Sequence, residues 1–141
     1  MTLADSNVLI NAFRADASDH KRCRRWLEDT IHGDARFGIS PQVLSSVIRI
    51  TTNKKIFVRP SPLEETMEFS EVLLEQPHSE VIQPGDRHWA IFTRLCRGAA
   101  VTGKLVPNAW FAALAIESGC EWITLDRDYA RFPGLKWRSP E

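Results

Sequence analysis

Cysteine is scarce in this chain. Cys23, Cys96 and Cys120 are the whole complement of 141 residues, odd in number, far apart and in no metal-ligand spacing. That excludes a zinc cluster and a disulfide-framed secreted module, and it fits reduced thiols in a cytoplasm. Neither charge is in excess: 18 Lys and Arg face 18 Asp and Glu. No overall basic field therefore advertises nucleic acid, and any such binding must rest on a local patch. No apolar run approaches the roughly 20 residues a transmembrane helix needs. No signal-peptide pattern is visible, with an acid at position 5 and only short apolar runs, so a cytoplasmic location is expected. Internal repeats, low-complexity tracts and interdomain linkers are missing as well. The four histidines, His20, His32, His78 and His88, show no pairing that suggests acid–base catalysis, and they read as surface or satisfied core groups.

What is present is an ordinary globular composition, 43% hydrophobic and 26% charged, with length for one domain spanning 1–141. The stretch around which the rest is organised is Leu3-Ala4-Asp5-Ser6-Asn7-Val8-Leu9-Ile10. It reads as a short buried strand ending in Asp5, followed at once by a helix with Ser6 or Asn7 as N-cap. Glu121-Trp122-Ile123-Thr124-Leu125-Asp126-Arg127-Asp128 repeats that grammar, a short apolar strand with acids where it ends. Just before it, Pro107-Asn108 opens a helix running from Asn108 to Ser118. Chemistry in open α/β sheets collects outside the carboxyl ends of the strands, so parallel strands would bring these acids and amides together. For Asp5 taken alone, a plain helix-capping role stays open.

Between these stretches the pattern alternates. A helix is predicted from His20 to about Ile31, capped by Ser18 or Asp19, with Cys23, Trp26, Leu27 and Ile31 on one face. Lys21, Arg22, Arg24 and Arg25 crowd its other face, which reads as a solvated surface or a contact for RNA phosphates. Arg36–Ile39 is a second strand, and Ser40-Pro41 caps and opens the next helix, which ends near Thr51-Thr52-Asn53. A cationic loop, Lys54 to Arg59, leads to a helix from Leu63 to Glu75. Ser79–Ile82 is a third strand, and a helix from Arg87 to about Arg97 carries Trp89 and Phe92 as expected core residues. Glu121–Leu125 is a fourth strand, and the tail through Trp137 forms a loop and a short edge strand. Strands alternating with helices indicate a parallel sheet covered on both faces.

The motif set Leu3-Ala4-Asp5-Ser6-Asn7-Val8-Leu9, Ile39-Ser40-Pro41-Gln42, Arg49-Ile50-Thr51-Thr52-Asn53, Val106-Pro107-Asn108-Ala109 and Thr124-Leu125-Asp126-Arg127-Asp128-Tyr129 resembles PIN-domain ribonucleases. More narrowly it is similar to VapC-type toxins of bacterial toxin–antitoxin pairs. The final block is the most specific part, and the likeness runs over essentially the whole chain. The resemblance implies a three-layer α/β/α sandwich with a central, mostly parallel five-stranded sheet. It also implies Mg²⁺- or Mn²⁺-dependent cleavage of RNA, a homodimer, and a small VapB-like antitoxin as partner.

Under that resemblance, Asp5 and Asp126 match metal-binding acids, Asp128 an acid often found with them, and Thr124 a hydroxyl that hydrogen-bonds in the site. Asn7 orients Asp5 or a water, or only caps the helix. Two positions depart from the family pattern. Ser46 stands where the family has a Glu, and Glu64 and Glu65 lie in the wrong segment to replace it. Asn108 stands where the family has an Asp, keeping the shape and one carbonyl ligand but losing the charge. An engineered change, a weakened natural enzyme, and a natural enzyme compensated by Asp128 all account for Asn108. If the losses abolish cleavage, the chain is instead a module that binds an antitoxin or RNA without cutting it. Arg49, Lys54, Lys55, Arg59, Arg87, Lys104 and Arg127 are the cations expected to include RNA contacts, and Trp110 is placed either to stack on a base or to pack.

Overall fold

The computed structural model describes all residues, Met1–Glu141. Five strands form one sheet: β1 (Thr2–Ala4), β2 (Phe37–Ile39), β3 (Ser79–Val81), β4 (Glu121–Ile123) and β5 (Trp137–Arg138). Their spatial order is β3-β2-β1-β4-β5, and every neighbouring pair is parallel. The chain begins in the middle, builds outward through β2 to β3, then crosses back over β1 to place β4 and β5 on its other side. Six α-helices make the connections: α1 (Ser6–Phe13), α2 (His20–His32), α3 (Pro41–Thr51), α4 (Leu63–Leu74), α5 (His88–Gly98) and α6 (Val106–Ser118). Parallel crossovers are right-handed, so reversing the direction of travel moves the helices to the opposite face. α1 to α4 accordingly pack on one another along one side, and α5 packs on α6.

The strands are short because their ladders end where side chains take over the hydrogen bonds. β4 was expected to run to Leu125, but it stops at Ile123. Thr124 N still donates to Arg138 O, whereas Leu125 N turns away to the Asn7 side chain. The helix expected from Asn108 begins earlier, at Val106. Pro107 then falls among the first amides of α6, which have no intrahelical partner, so its missing N–H costs nothing. Gly119 ends α6 in the left-handed region at φ 71°, where a side chain would be strained. At Gly38 in β2, a Cβ would come within 2.8 Å of Ile82 Cγ1, so only glycine lets that side chain lie on the strand.

The core is one cluster of 30 buried apolar residues, with Leu3, Leu9, Leu114, Trp122 and Ile123 among the fully enclosed ones. Ala109, Ala112, Ala113 and Ala115 are buried on α6 and bring that helix close to β4. One expected core residue is not there: Trp89 is 65% exposed, its ring tilted against buried Phe92. It lies one position outside the helix stripe formed by His88, Ile91, Phe92 and Leu95. His88 is the opposite case. It is fully buried, and its Nε2 is 2.9 Å from Trp110 O.

Candidate functional site

The strand order reverses between β1 and β4, and a doubly wound sheet opens a crevice at that point. The register pairs Leu3 with Trp122 and Ala4 with Ile123, so the next residues along, Asp5 and Thr124, leave the sheet side by side. Asp5 N donates to Ile123 O at 2.8 Å, which holds the two strand ends together at the mouth.

From there a polar network closes over the buried core. Asp5 is itself the N-cap of α1, in place of the Ser6 or Asn7 expected from sequence, and its Oδ1 accepts from Ser6 N at 2.7 Å. Its extended backbone leaves the carboxylate facing the first orphan amide of the helix. The other oxygen, Oδ2, accepts from the Thr124 hydroxyl at 2.7 Å and from Asn7 Nδ2 at 3.2 Å. Thr124 Oγ1 in turn accepts from Asn7 Nδ2 at 3.2 Å and from Asp126 N at 3.0 Å. Asn7 Oδ1 takes Leu125 N at 3.0 Å, so this one side chain ties α1 to the end of β4. Asn7 thus orients Asp5, as one of its two sequence readings had it, and Ser6, read only as a cap residue, is a further component of the carboxylate's cradle. The pairing of β1 with β4 adds the contacts of Asn7 with Thr124 and Leu125.

Asp126 completes the group. It caps a short 3-10 helix, Arg127–Arg131, by accepting from Asp128 N at 2.9 Å through Oδ1, and its Oδ2 accepts from Asn108 Nδ2 at 3.2 Å. Three segments therefore converge: the end of β1, the end of β4 and the first turn of α6. Asp128 does not turn inward with them. It is exposed, and its Oδ1 lies 3.3 Å from Arg131 Nη2. No group of three or more acidic, histidine or cysteine side chains is arranged to hold a metal ion. Ser46 sits half-buried in the second turn of α3 and supplies no charge.

Asp5 is only 7% exposed, and neither it nor Asp126 takes part in an ion pair. Burial pushes the Asp5 carboxyl above its ordinary range and the Asp126 charge adds to this, while the Thr124 and Ser6 hydrogen bonds pull the other way. Tyr129 is enclosed beside the acids. Burial, followed by the charges of Asp5 and Asp126, raises its hydroxyl far enough to keep it protonated.

The expected RNA-contacting cations divide. Arg127 follows Asp126 directly, and Lys104 lies in the turn Gly103–Leu105 that leads into α6. Arg49 is in the last turn of α3, with Lys54 and Lys55 just beyond it and Arg59 further along the loop, whereas the site faces the Ser40 end of that helix. Arg87 donates from Nη2 to Glu117 O at 3.3 Å. Glu117 is nine residues from Asn108 along α6, roughly 13 Å at 1.5 Å per residue. Trp110 packs: its ring meets His88 and Phe92, and its Nε1 donates to Gln42 Oε1 at 2.7 Å.

A family model described as the PIN domain matches residues 2–135. The chain is 38% identical over 140 residues to Ribonuclease VapC25 of Mycobacterium tuberculosis, a match that covers 99% of both chains. The chain belongs to the VapC ribonucleases of the PIN-domain family. Among solved structures it is similar to VapBC2 from Rickettsia felis bound to a DNA fragment from its promoter, with TM-score 0.71, 15% identity, and coverage of 99% and 98% of the two chains. It is also similar to a toxin–antitoxin complex from Klebsiella pneumoniae, with TM-score 0.65, 18% identity, and coverage of 100% and 98%. These two likenesses show the fold, and they agree with the five-stranded parallel sheet expected of a VapC-type chain. That sheet explains why the motifs of a VapC ribonuclease lie so far apart in sequence: each one marks a strand end or a helix start at a single edge.

Proposed function

We propose that this chain, acting as one PIN unit, is a metal-dependent endoribonuclease toxin whose site is built from Asp5, Asp126 and Asn108, with Thr124 as the residue that positions Asp5. The observation that carries this reading is the buried Asp5 carboxylate, which faces a second carboxylate and has no cation paired to it. A desolvated anion in that position is stabilised by a positive charge the chain does not itself supply.

Donor chemistry supports a hard divalent ion there. The anionic ligands there are the oxygens of two carboxylates, with Asn108 turning its Nδ2 towards Asp126, and Mg²⁺ is held by as few as one or two carboxylates because it keeps much of its water. A bound Mg²⁺ or Mn²⁺ supplies neutralisation of the phosphodiester charge and a water of lowered pKa. The protein's part is orientation. Thr124 and Ser6 fix the two oxygens of Asp5, Asn108 and the Asp128 amide fix those of Asp126, and Asn7 keeps the two strand ends in register. The buried Tyr129 excludes water from beneath the acids.

Asn108 and the Asp128 side chain favour a weakened form of this site. Asn108 brings no charge, and Asp128 points to Arg131 instead of replacing it. In the binding-only alternative, the same geometry grips RNA or an antitoxin without cutting. We assign a VapB-like antitoxin and a second copy of this chain as partners, and the cytoplasm as location. No helix is long and apolar enough to cross a membrane.

Cleavage of total RNA with Mg²⁺ or Mn²⁺ tests the reading, with the chain run beside Asn108→Asp and with Asp5→Ala as control. Cutting by the Asn108→Asp variant, lost in the Asp5→Ala control, supports a nuclease attenuated at one position. If neither the parent nor Asn108→Asp cuts where a related toxin does, the binding-only reading takes first place.

A further inference from the structure

A cavity of about 460 Å³ opens on the other side of the β4 end from the acids. Its walls include Arg22 from α2, Arg127 beside Asp126, Arg138 and Trp137 from β5, and Thr124 with Leu125 at the floor. Three guanidinium groups line it, and no carboxylate does. Arg138 is held by Glu121 at 2.9 Å, and Arg22 has only a loose, exposed contact with Asp19 at 3.5 Å. Arg127 is exposed and in no ion pair. The floor residue Thr124 is the one whose hydroxyl bonds Asp5, so this basic space begins one hydrogen bond from the acidic group.

We propose that this cavity receives one nucleotide of a single-stranded RNA substrate next to the phosphodiester held at the acids, with its phosphate on Arg22 and Arg127 and its base against Trp137. The proposal rests on the nuclease reading above. A polynucleotide seated with one phosphate at Asp5 and Asp126 must continue along the sheet edge, and on the β5 side the next space is this one. Its size falls within the range of small-ligand sites. Guanidinium groups suit phosphate because they present several donors in a fixed plane, and a half-exposed indole offers a stacking face to any base. The arrangement also explains how a chain with no net charge handles a polyanion: acids and arginines are sorted to opposite sides of the segment from Thr124 to Arg127.

Fluorescence anisotropy with a labelled single-stranded oligoribonucleotide of about a dozen nucleotides tests this, across a salt series and in EDTA so that no strand is cut. The double variant Arg22→Gln/Arg127→Gln is expected to bind about tenfold more weakly at low salt. The slope of log affinity against log salt should fall by roughly 0.7, the amount for the one phosphate that is no longer neutralised. Arg22→Lys/Arg127→Lys should restore most of the slope, and Trp137→Leu should weaken binding with the slope unchanged. Arg36→Gln, the loss of one such charge at the opposite end of the strands, should leave both quantities as they are. Unchanged affinity and slope in the double glutamine variant overturns the proposal. So does a double variant that keeps RNA but loses an Asp- and Glu-rich peptide, because the cavity is then a peptide site. If Asn108→Asp cuts RNA equally well with and without the two arginines, the cavity assignment fails while the nuclease reading stands. If the unaltered chain binds no RNA and Asn108→Asp cuts none, both fail.

Discussion

Asp5 and Glu117 are carboxylates that both accept backbone amide hydrogens, and they respond in opposite directions. Glu117, near the end of α6, accepts from Gly85 N at 2.7 Å and Arg87 N at 2.9 Å, clamping the turn before α5. Burial is the largest single influence and pushes its carboxyl up, but the two amides, with His88 and Arg87 nearby, together outweigh it and hold the group below its ordinary range. Asp5 accepts from an amide and a hydroxyl at least as closely, yet burial and the facing Asp126 leave it above its ordinary range. Hydrogen-bond count does not separate the two. Solvent and the sign of the neighbouring charge do. A carboxylate that fastens a turn is stabilised where it stands, whereas one buried beside a like charge is held at a cost to the fold, as is common at functional sites.

Substitutions should divide along that line. The largest expected effect is Asp5→Ala in an Asn108→Asp background, where RNA cleavage should fall roughly a thousandfold or more while Glu117→Ala leaves it unchanged. Equal losses in the two variants would erase the distinction. Asn108→Asp should tighten Mn²⁺ binding by about tenfold in titration calorimetry, since it adds a charged oxygen where a neutral amide now faces Asp126. Unchanged binding would place the cation elsewhere. Thr124→Val keeps the shape but strips the hydroxyl that joins Asp5, Asn7 and Asp126. Thermal or urea unfolding should show a loss of about 2 kcal/mol, since the buried partners are left unpaired. Glu117→Gln should cost less, about 1 kcal/mol, because that carboxylate is partly solvated and screened.

The smallest effect is also the sharpest comparison, and it is read by carboxyl-carbon NMR in EDTA. Asp5 should titrate above the ordinary aspartate value and Glu117 below the ordinary glutamate value. The sign of each stability contribution follows from that. Asp5, raised in the folded chain, favours folding below its unfolded value, and that contribution is lost as pH rises through its folded one. Glu117, lowered in the folded chain, favours folding above its unfolded value, and that contribution is lost as pH falls through its folded one. Titration of both on the same side of their ordinary values would remove the contrast.

Much of this was legible in the chain itself. Asp5, Asn108 and Asp126 each sit where an apolar run stops and a helix signal starts, and that grammar is local. Ser40-Pro41 declared its cap and helix in the same way, and the cap bond to Val43 N is present at 3.2 Å. Trp89 was misread because a single-residue offset on a helix turns a side chain by about 100°, from the core stripe to solvent. Asp128 was grouped with the other acids by resemblance to a family motif, and in this chain the short helix that Asp126 caps carries its side chain outward to Arg131.

Sequence by itself determined the alternation of strands and helices, the positions of the acids at their ends, and the neutral side chains at Ser46 and Asn108. Those properties depend on residue type and on neighbours a few positions away. Tertiary structure alone decided that β1 lies beside β4. The Thr124 hydroxyl, 119 residues from Asp5, therefore bonds its carboxylate, and only two acids converge there. It also decided that Arg22 and Arg138, at opposite ends of the chain, face one cavity. Contacts of that range are set by the parallel register and by the reversal of strand order, which no local pattern encodes.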